Sequence, residues 1–143
     1  MNRILCAIFL CSLLLPTLGC DDDGGATLPG TSPLYGTWNA VAATVDGIAV
    51  DVFTATNCNP QTVRLDFIFE SDGDFFVREF NGQGNLVDQD TGTFTINGAT
   101  AVITWLDKEH TSFTWSVDDD DDLELTMDDE GSFKVLMLTR DEG

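Results

Sequence analysis

Residues 62–70, 111–117 and 123–127 alternate apolar with polar side chains at a period of two, and that alternation constrains the fold more than any other feature. In Thr111 to Val117, Phe113, Trp115 and Val117 alternate with Ser112, Thr114 and Ser116, and in Leu123 to Met127, Leu123, Leu125 and Met127 alternate with Glu124 and Thr126. Val63, Leu65, Phe67 and Phe69 oppose Arg64 and Asp66, with Ile68 out of phase, and Thr93-Phe94-Thr95-Ile96 continues the pattern. A two-residue period gives each strand one dry and one wet face.

Turn signals punctuate these runs at short intervals: Asp46-Gly47, Ser71-Asp72-Gly73-Asp74, Asn81-Gly82-Gln83-Gly84, Asn97-Gly98 and Asp128-Asp129-Glu130-Gly131. Asn-Gly and Asp-Gly suit two-residue hairpins and the longer sets suit bulged or four-residue loops, so consecutive strands should be neighbours. The spacing predicts strands over Tyr35–Val45, Ile48–Thr54, Val63–Glu70, Phe75–Phe80, Asn85–Asp88, Gly92–Ile96, Ala99–Leu106, Thr111–Val117, Leu123–Met127 and Phe133–Arg140. No ten-residue stretch of helical period is free of Gly, which excludes βαβ units and phosphate-binding strand-to-helix turns. Laid flat, such strands would leave two exposed edges. Closure removes them, so the expected fold is all-β, a single small antiparallel up-and-down barrel of about eight to ten strands.

The start of the chain is different. Arg3 precedes a nearly unbroken apolar run from Ile4 to Leu15, then Pro16-Thr17-Leu18-Gly19-Cys20. This is the layout of an export signal, too short to span a bilayer comfortably. A small residue directly before a cysteine, followed by Asp21-Asp22-Asp23-Gly24-Gly25, resembles the lipobox cut by the lipoprotein signal peptidase, although Thr17 stands where Leu is usual. Residues 1–19 are expected to be the signal peptide, and Cys20 the lipidation site. Ordinary signal cleavage is the alternative. Asp21 to Ser32 has little to bury and reads as a tether, so that 20–32 is lipidated linker and 33–143 the domain.

Cysteines and charge agree with export. Cys6 and Cys11 leave with the signal and a lipidated Cys20 has no thiol, so Cys58 has no intramolecular partner and a disulfide framework is excluded. The whole chain carries −19, and losing Arg3 makes the mature form one unit more negative. That charge excludes nucleic acid as a partner and electrostatic adhesion to anionic lipid, which leaves acyl chains at Cys20 as the membrane attachment. The expected place is the bacterial cell envelope, periplasmic or at the surface. Asp21 resembles an inner-membrane retention signal of some bacteria, and acidic residues there resemble a surface-export signal of others.

Against this frame, Leu34-Tyr35-Gly36-Thr37-Trp38 resembles the opening strand of lipocalins and of bacterial lipocalin-like domains. Leu65 to Phe75 is similar to their hairpin of apolar strand, Asp-Gly and aromatic residue, Gly92 to Gly98 to their Gly-Thr-strand-Asn-Gly hairpin, and Leu136-Met137-Leu138-Thr139-Arg140 to their last strand. The resemblance implies that Trp38 packs across the closed end of the barrel with Arg140 over it, and that the interior holds a small hydrophobic ligand. The family's helix after the barrel is missing.

Chemistry is sparse. His110 is the only histidine and reads as a solvated loop residue beside Asp107, Lys108 and Glu109; no nucleophile motif, zinc spacing or cofactor motif accompanies it. The protein is therefore not expected to be an enzyme. Asp118 to Asp122 reads as a solvated acidic loop, with Asp118, Asp120 and Asp122 as a weak calcium candidate lacking the Asp-x-Asp-x-Asp-Gly pattern. The inward positions Phe67, Phe69, Phe94, Phe113 and Trp115, with Trp38, would line a ligand site, and the same aromatics would equally make a plain core. Two functions follow: a lipid-anchored monomer binding a small apolar molecule, or a non-enzymatic module with a filled barrel presenting acidic loops to a protein partner.

Overall fold

The computed structural model describes residues 30–129 and 131–143. The expected signal peptide, Cys20 and most of the expected tether lie outside the described residues.

Among the described residues, nine strands and one short helix follow in order: β1 (Gly36–Val45), β2 (Ile48–Val50), α1 (Val52–Ala55), β3 (Arg64–Phe69), β4 (Asp74–Phe80), β5 (Leu86–Asn97), β6 (Thr100–Trp105), β7 (His110–Val117), β8 (Asp122–Asp129) and β9 (Ser132–Arg140). Every pairing is between antiparallel neighbours, and β9 returns to β1 from Trp38↔Arg140 to Val45↔Lys134. Eight strands thus close an up-and-down barrel, as the period-two runs predict. β1 is long enough to serve two partners on its other edge: β3 over Gly36–Asn39 and the short β2 over Ala43–Val45. A bulge between Ala40 and Ala42 re-aims the strand on the way. The Asp46-Gly47 turn that joins β1 to β2 has φ of 51° and 79°, the double positive φ of a primed hairpin turn.

Two predicted boundaries are corrected. Residues 48–54 are not one strand, because the Asp51 carboxylate accepts from Thr54 N and from Thr54 Oγ1, each at 2.9 Å, and caps a single helical turn. The β-branched composition there favours a strand, but the cap satisfies backbone donors that no neighbouring strand is placed to meet. The predicted strands Asn85–Asp88 and Gly92–Ile96 are one, β5, since Gln89, Asp90 and Thr91 stay paired with Arg78, Val77 and Phe76. Their polarity had the look of a loop; pairing to β4 overrides it.

The turns between β3 and β4, β5 and β6, and β7 and β8 lie at one end, with the segment before β1. The interior at that end is filled. Leu34, Trp38, Phe69, Leu123 and Leu138 are completely buried there, and Leu65, Phe75 and Leu125, equally buried, lie between this packed end and the other half of the barrel. Phe69 stands at the centre of an aromatic cluster, 4.8 Å from Phe75, 5.2 Å from Phe94 and 6.1 Å from Phe113 by ring centroids. Buried Phe side chains are worth about 1.5–3 kcal/mol each, so this end carries much of the core's stability. The opposite end is built differently.

Candidate functional site

The other end of the barrel encloses a cavity of about 480 Å³ that opens to solvent. Its floor and walls are apolar and come from six strands: Leu65 and Phe67 of β3, Phe75 and Val77 of β4, Ile103 and Trp105 of β6, Phe113 of β7, Leu125 and Met127 of β8, and Leu136 of β9. Toward the mouth the lining becomes polar, with Glu79, Asp90, His110, Thr111, Asp128 and Lys134. Residues Ala55 to Cys58, at the end of α1 and just after it, complete the lining, and the segment running on to Thr62 forms a flap at the mouth.

Glu79 holds this flap down. It is buried on β4 and its Oε2 accepts from Asn59 N at 2.8 Å and from the Thr62 hydroxyl at 2.5 Å. Cys58 lies within the flap, its sulfur 3.0 Å from the Thr56 hydroxyl. Burial pushes the Cys58 thiol above its usual range, with the Glu79 charge adding to the rise and the Thr56 hydrogen bond opposing it.

Asp90 is the unusual member of the lining. It lies on the inward face of β5, two pairs of residues before Phe94, opposite Val77 in the β4 register. Burial pushes its carboxyl up, and the charges of Asp88, Glu79 and Asp107 push it further. Trp105 donates its indole N–H to the Thr111 hydroxyl at 2.9 Å, which fixes the ring against the cavity wall. His110 opens β7 instead of lying in a loop, and its Nδ1 meets the Thr104 hydroxyl at 3.0 Å.

Around the mouth stands an apolar rim. Ile48, Leu86, Leu106 and Phe133, at the four turns of this end, are 69, 52, 82 and 53% exposed. They are four of the six large apolar side chains exposed among the described residues.

Of the aromatic positions expected to line a ligand site, Phe67 and Phe113 do so. Trp38, Phe69 and Phe94 belong to the packed end, and Trp115, although it shares a face with Phe113, lies beyond the cavity against that same core. Trp105, Glu79 and Asp90 were missed. Parity alone would have found them: Trp105 follows Ala101 and Ile103 by twos, and Asp90 precedes Phe94 by twos. Trp38 and Arg140 meet at the closed end, where the guanidinium covers the indole. The presence of the cavity removes the premise of a completely filled barrel.

The acidic run forms a tight turn. Asp118 Oδ1 accepts from Asp120 N at 3.0 Å and from Asp122 N at 2.9 Å, and Asp121 pairs with Arg140. Among the described residues the carboxylates that do converge are Glu70, Asp72 and Asp74, all exposed on the β3–β4 hairpin, and not Asp118, Asp120 and Asp122.

The sequence matches no protein-family model and no curated protein. The solved structures similar to the chain include an uncharacterized protein from Bacteroides eggerthii DSM 20697, 13% identical, covering 72% of this chain and 97% of that one with a TM-score of 0.48, and a mutant of the fluorescent protein UnaG, 12% identical, covering 78% and 98% with a TM-score of 0.43. The barrel assignment stands on the strand pairing alone.

Proposed function

We propose that this protein is an acyl-anchored component of the bacterial cell envelope, held at Cys20, whose monomeric lipocalin-like barrel binds one small hydrophobic molecule at its open end without catalysing a reaction. The observation that carries the reading is the 480 Å³ cavity with apolar walls and a solvent-open mouth. Its size falls within the ~300–1,000 Å³ usual for small-molecule sites. An apolar floor with polar groups confined to the mouth suits an amphipathic ligand that enters tail first, and the rim of Ile48, Leu86, Leu106 and Phe133 offers an apolar approach. A raised thiol at Cys58 and a histidine engaged with Thr104 support binding over catalysis.

Trp105 is the natural reporter, since Trp38 and Trp115 lie outside the cavity. In the full chain carrying Cys20→Ser, a neutral apolar dye should change the Trp105 emission saturably, and Trp105→Phe should remove the change while the folded β signal persists. A folded protein that binds no member of a broad apolar panel at tens of micromolar, about −6 kcal/mol of affinity, overturns the binding reading. Labelled palmitate entering the wild type but not Cys20→Ser tests the anchor.

A further inference from the structure

The cavity breaks through the barrel wall on one side. Inside a closed barrel a strand lends a cavity only alternate residues, and β3, β4, β6 and β9 do so, with pairs such as Leu65 and Phe67 or Ile103 and Trp105. β7 instead lends an unbroken run, His110 to Phe113, and β8 adds Asp128 to Leu125 and Met127. His110, Ser112 and Asp128 are out of phase with the inward set and belong to the outer face. A cavity bordered by both faces of a strand has passed that strand's edge.

The strand pairing locates the breach. β7 and β8 pair from Val117↔Leu123 to Thr114↔Thr126 and no further toward the open end, so Ser112 and Asp128, which the same register would match, stay unpaired with each other. Each strand nevertheless runs on along its other neighbour, β7 to His110↔Thr104 on β6 and β8 to Asp129↔Ser132 on β9. The two hairpins therefore part into a slot. Alternate residues of a strand turn their backbone groups to opposite neighbours; the Trp115 N–H turns to β6, where Ala99 O accepts it at 2.8 Å, so the N–H and C=O of Ser112 turn the other way, into the slot. No strand meets them there, and the Ser112 hydroxyl has no hydrogen bond among the described residues.

Resting on the ligand-binding reading above, we infer that the slot is a head-group site: the ligand is a single-chain amphiphile whose tail fills the cavity and whose polyol or sugar head passes between β7 and β8 to lie against the outer face of β7. On its inner side the slot meets Phe113, Leu125 and Met127, which suit a tail. On its outer side stand the Ser112 hydroxyl, the His110 ring, held by its Nδ1 contact with the Thr104 hydroxyl at 3.0 Å, and the Asp128 carboxylate, one oxygen of which accepts from Gly131 N at 2.9 Å. A hydroxyl, an imidazole, a carboxylate and a free strand edge together donate to and accept from the hydroxyl groups of such a head. Because the slot gives onto solvent, the bulk of the head is not limited by the cavity's 480 Å³.

The test uses the full chain with Cys20→Ser and displacement of the neutral dye N-phenyl-1-naphthylamine by decanol and by decyl maltoside, both below micelle-forming concentrations. The two share one tail and differ in the head. Ser112→Trp sets a bulky ring beside the slot from an exposed position, and Leu86→Trp does so at the mouth. Decyl maltoside should need about tenfold more to displace the dye from Ser112→Trp than from the wild type, the loss expected for one or two hydrogen bonds, while decanol changes by less than about twofold. Leu86→Trp should change neither. On the unsubstituted barrel, a decyl glycoside with a diazirine on its sugar should label residues 110–114 or 126–129. Labelling at 46–50 or 84–88 instead, a maltoside effect of Leu86→Trp, a Ser112→Trp variant that leaves maltoside unchanged or weakens decanol equally, or a maltoside that cannot displace a dye that decanol displaces overturns the head-group site and leaves the cavity reading standing. Failure of dye and decanol alike overturns the cavity reading, and the head-group site with it.

Discussion

The Arg140 guanidinium lies 4.1 Å from the centroid of the Trp38 ring, and the two residues face each other directly across the β1–β9 seam that closes the barrel. The same guanidinium donates to the carbonyls of Pro33 and Tyr35, each at 2.9 Å, and through Nε and Nη2 to the Asp121 carboxylate at 2.5 and 3.0 Å. Trp38 in turn donates its indole N–H to Leu34 O at 2.8 Å. One side chain from the last strand thereby ties down the segment before the first strand, the first strand's ring and the β7–β8 turn. The closed end is a single linked unit.

Arg140→Ala is expected to destabilise the barrel by about 2–4 kcal/mol, combining a cation–π contact of about 0.5–2 kcal/mol with the loss of charged hydrogen bonds. Gly36→Ala should act in the same direction through the same residue, because a Cβ there would lie 2.7 Å from Arg140 Nη1 and φ is +133°. Urea unfolding checks both. Midpoints unchanged from the wild type would show that the seam does not depend on this cap.

Glu79→Ala leaves Asn59 N and the Thr62 hydroxyl without their acceptor beneath the flap, a cost of about 1–3 kcal/mol for orphaned buried donors. Amide exchange over residues 57–62 should accelerate while that of β6 to β9 changes little. Uniform acceleration across all strands would mean that Glu79 supports the whole barrel and not the flap alone.

Asp90 should make the ligand-free protein less stable at neutral pH. Its carboxyl is raised in the folded state by burial and then by Asp88, Glu79 and Asp107, so between its unfolded value and that raised value the folded chain binds more protons. Stability contributed by this group therefore falls as pH rises through that window and stays lower above it. Asp90→Asn should raise the melting temperature at pH 7, by less than about 1 kcal/mol of stability given the solvent at this site, and the advantage should vanish as acid protonates the wild type. A variant less stable than the wild type at pH 7 would contradict this.

The Asp118–Asp122 turn is held by its own backbone and by Arg140, which keeps the Asp121 carboxyl below the usual range. A depressed carboxyl contributes stability above its unfolded value and loses it as pH falls through the folded one. Calcium is expected to add nothing beyond ionic strength, whereas Asp118→Ala removes the acceptor of Asp120 N and Asp122 N and should lower the melting temperature by a few degrees, for about 1 kcal/mol. A jump in melting temperature with micromolar calcium, absent with matched magnesium, would reverse that expectation.

The sequence by itself determined the face of almost every residue. Alternation in 62–70, 111–117 and 123–127 fixed which side chains point inward there, the Asp-Gly and Asn-Gly pairs fixed where neighbouring strands reverse, and the count of strands required closure. Those signals are legible because they are local: a strand's period is two wherever it lies, and a primed turn needs positive φ whatever surrounds it. The leader proposed before Cys20 rests on the same kind of contiguous pattern. Height along the barrel is not local. Phe67 and Phe69 share a face of one strand, yet Phe67 lines the cavity and Phe69 is sealed in the packed end, because their level depends on how strand tilt and the β1 bulge set the β1–β9 register. Tertiary pairing likewise drew Gln89 to Thr91 into β5, and with it turned Asp90 inward. Only the closed ring could place that carboxylate on the wall opposite Lys134, because the distance between β5 and β9 is set by the barrel's circumference and not by the residues between them.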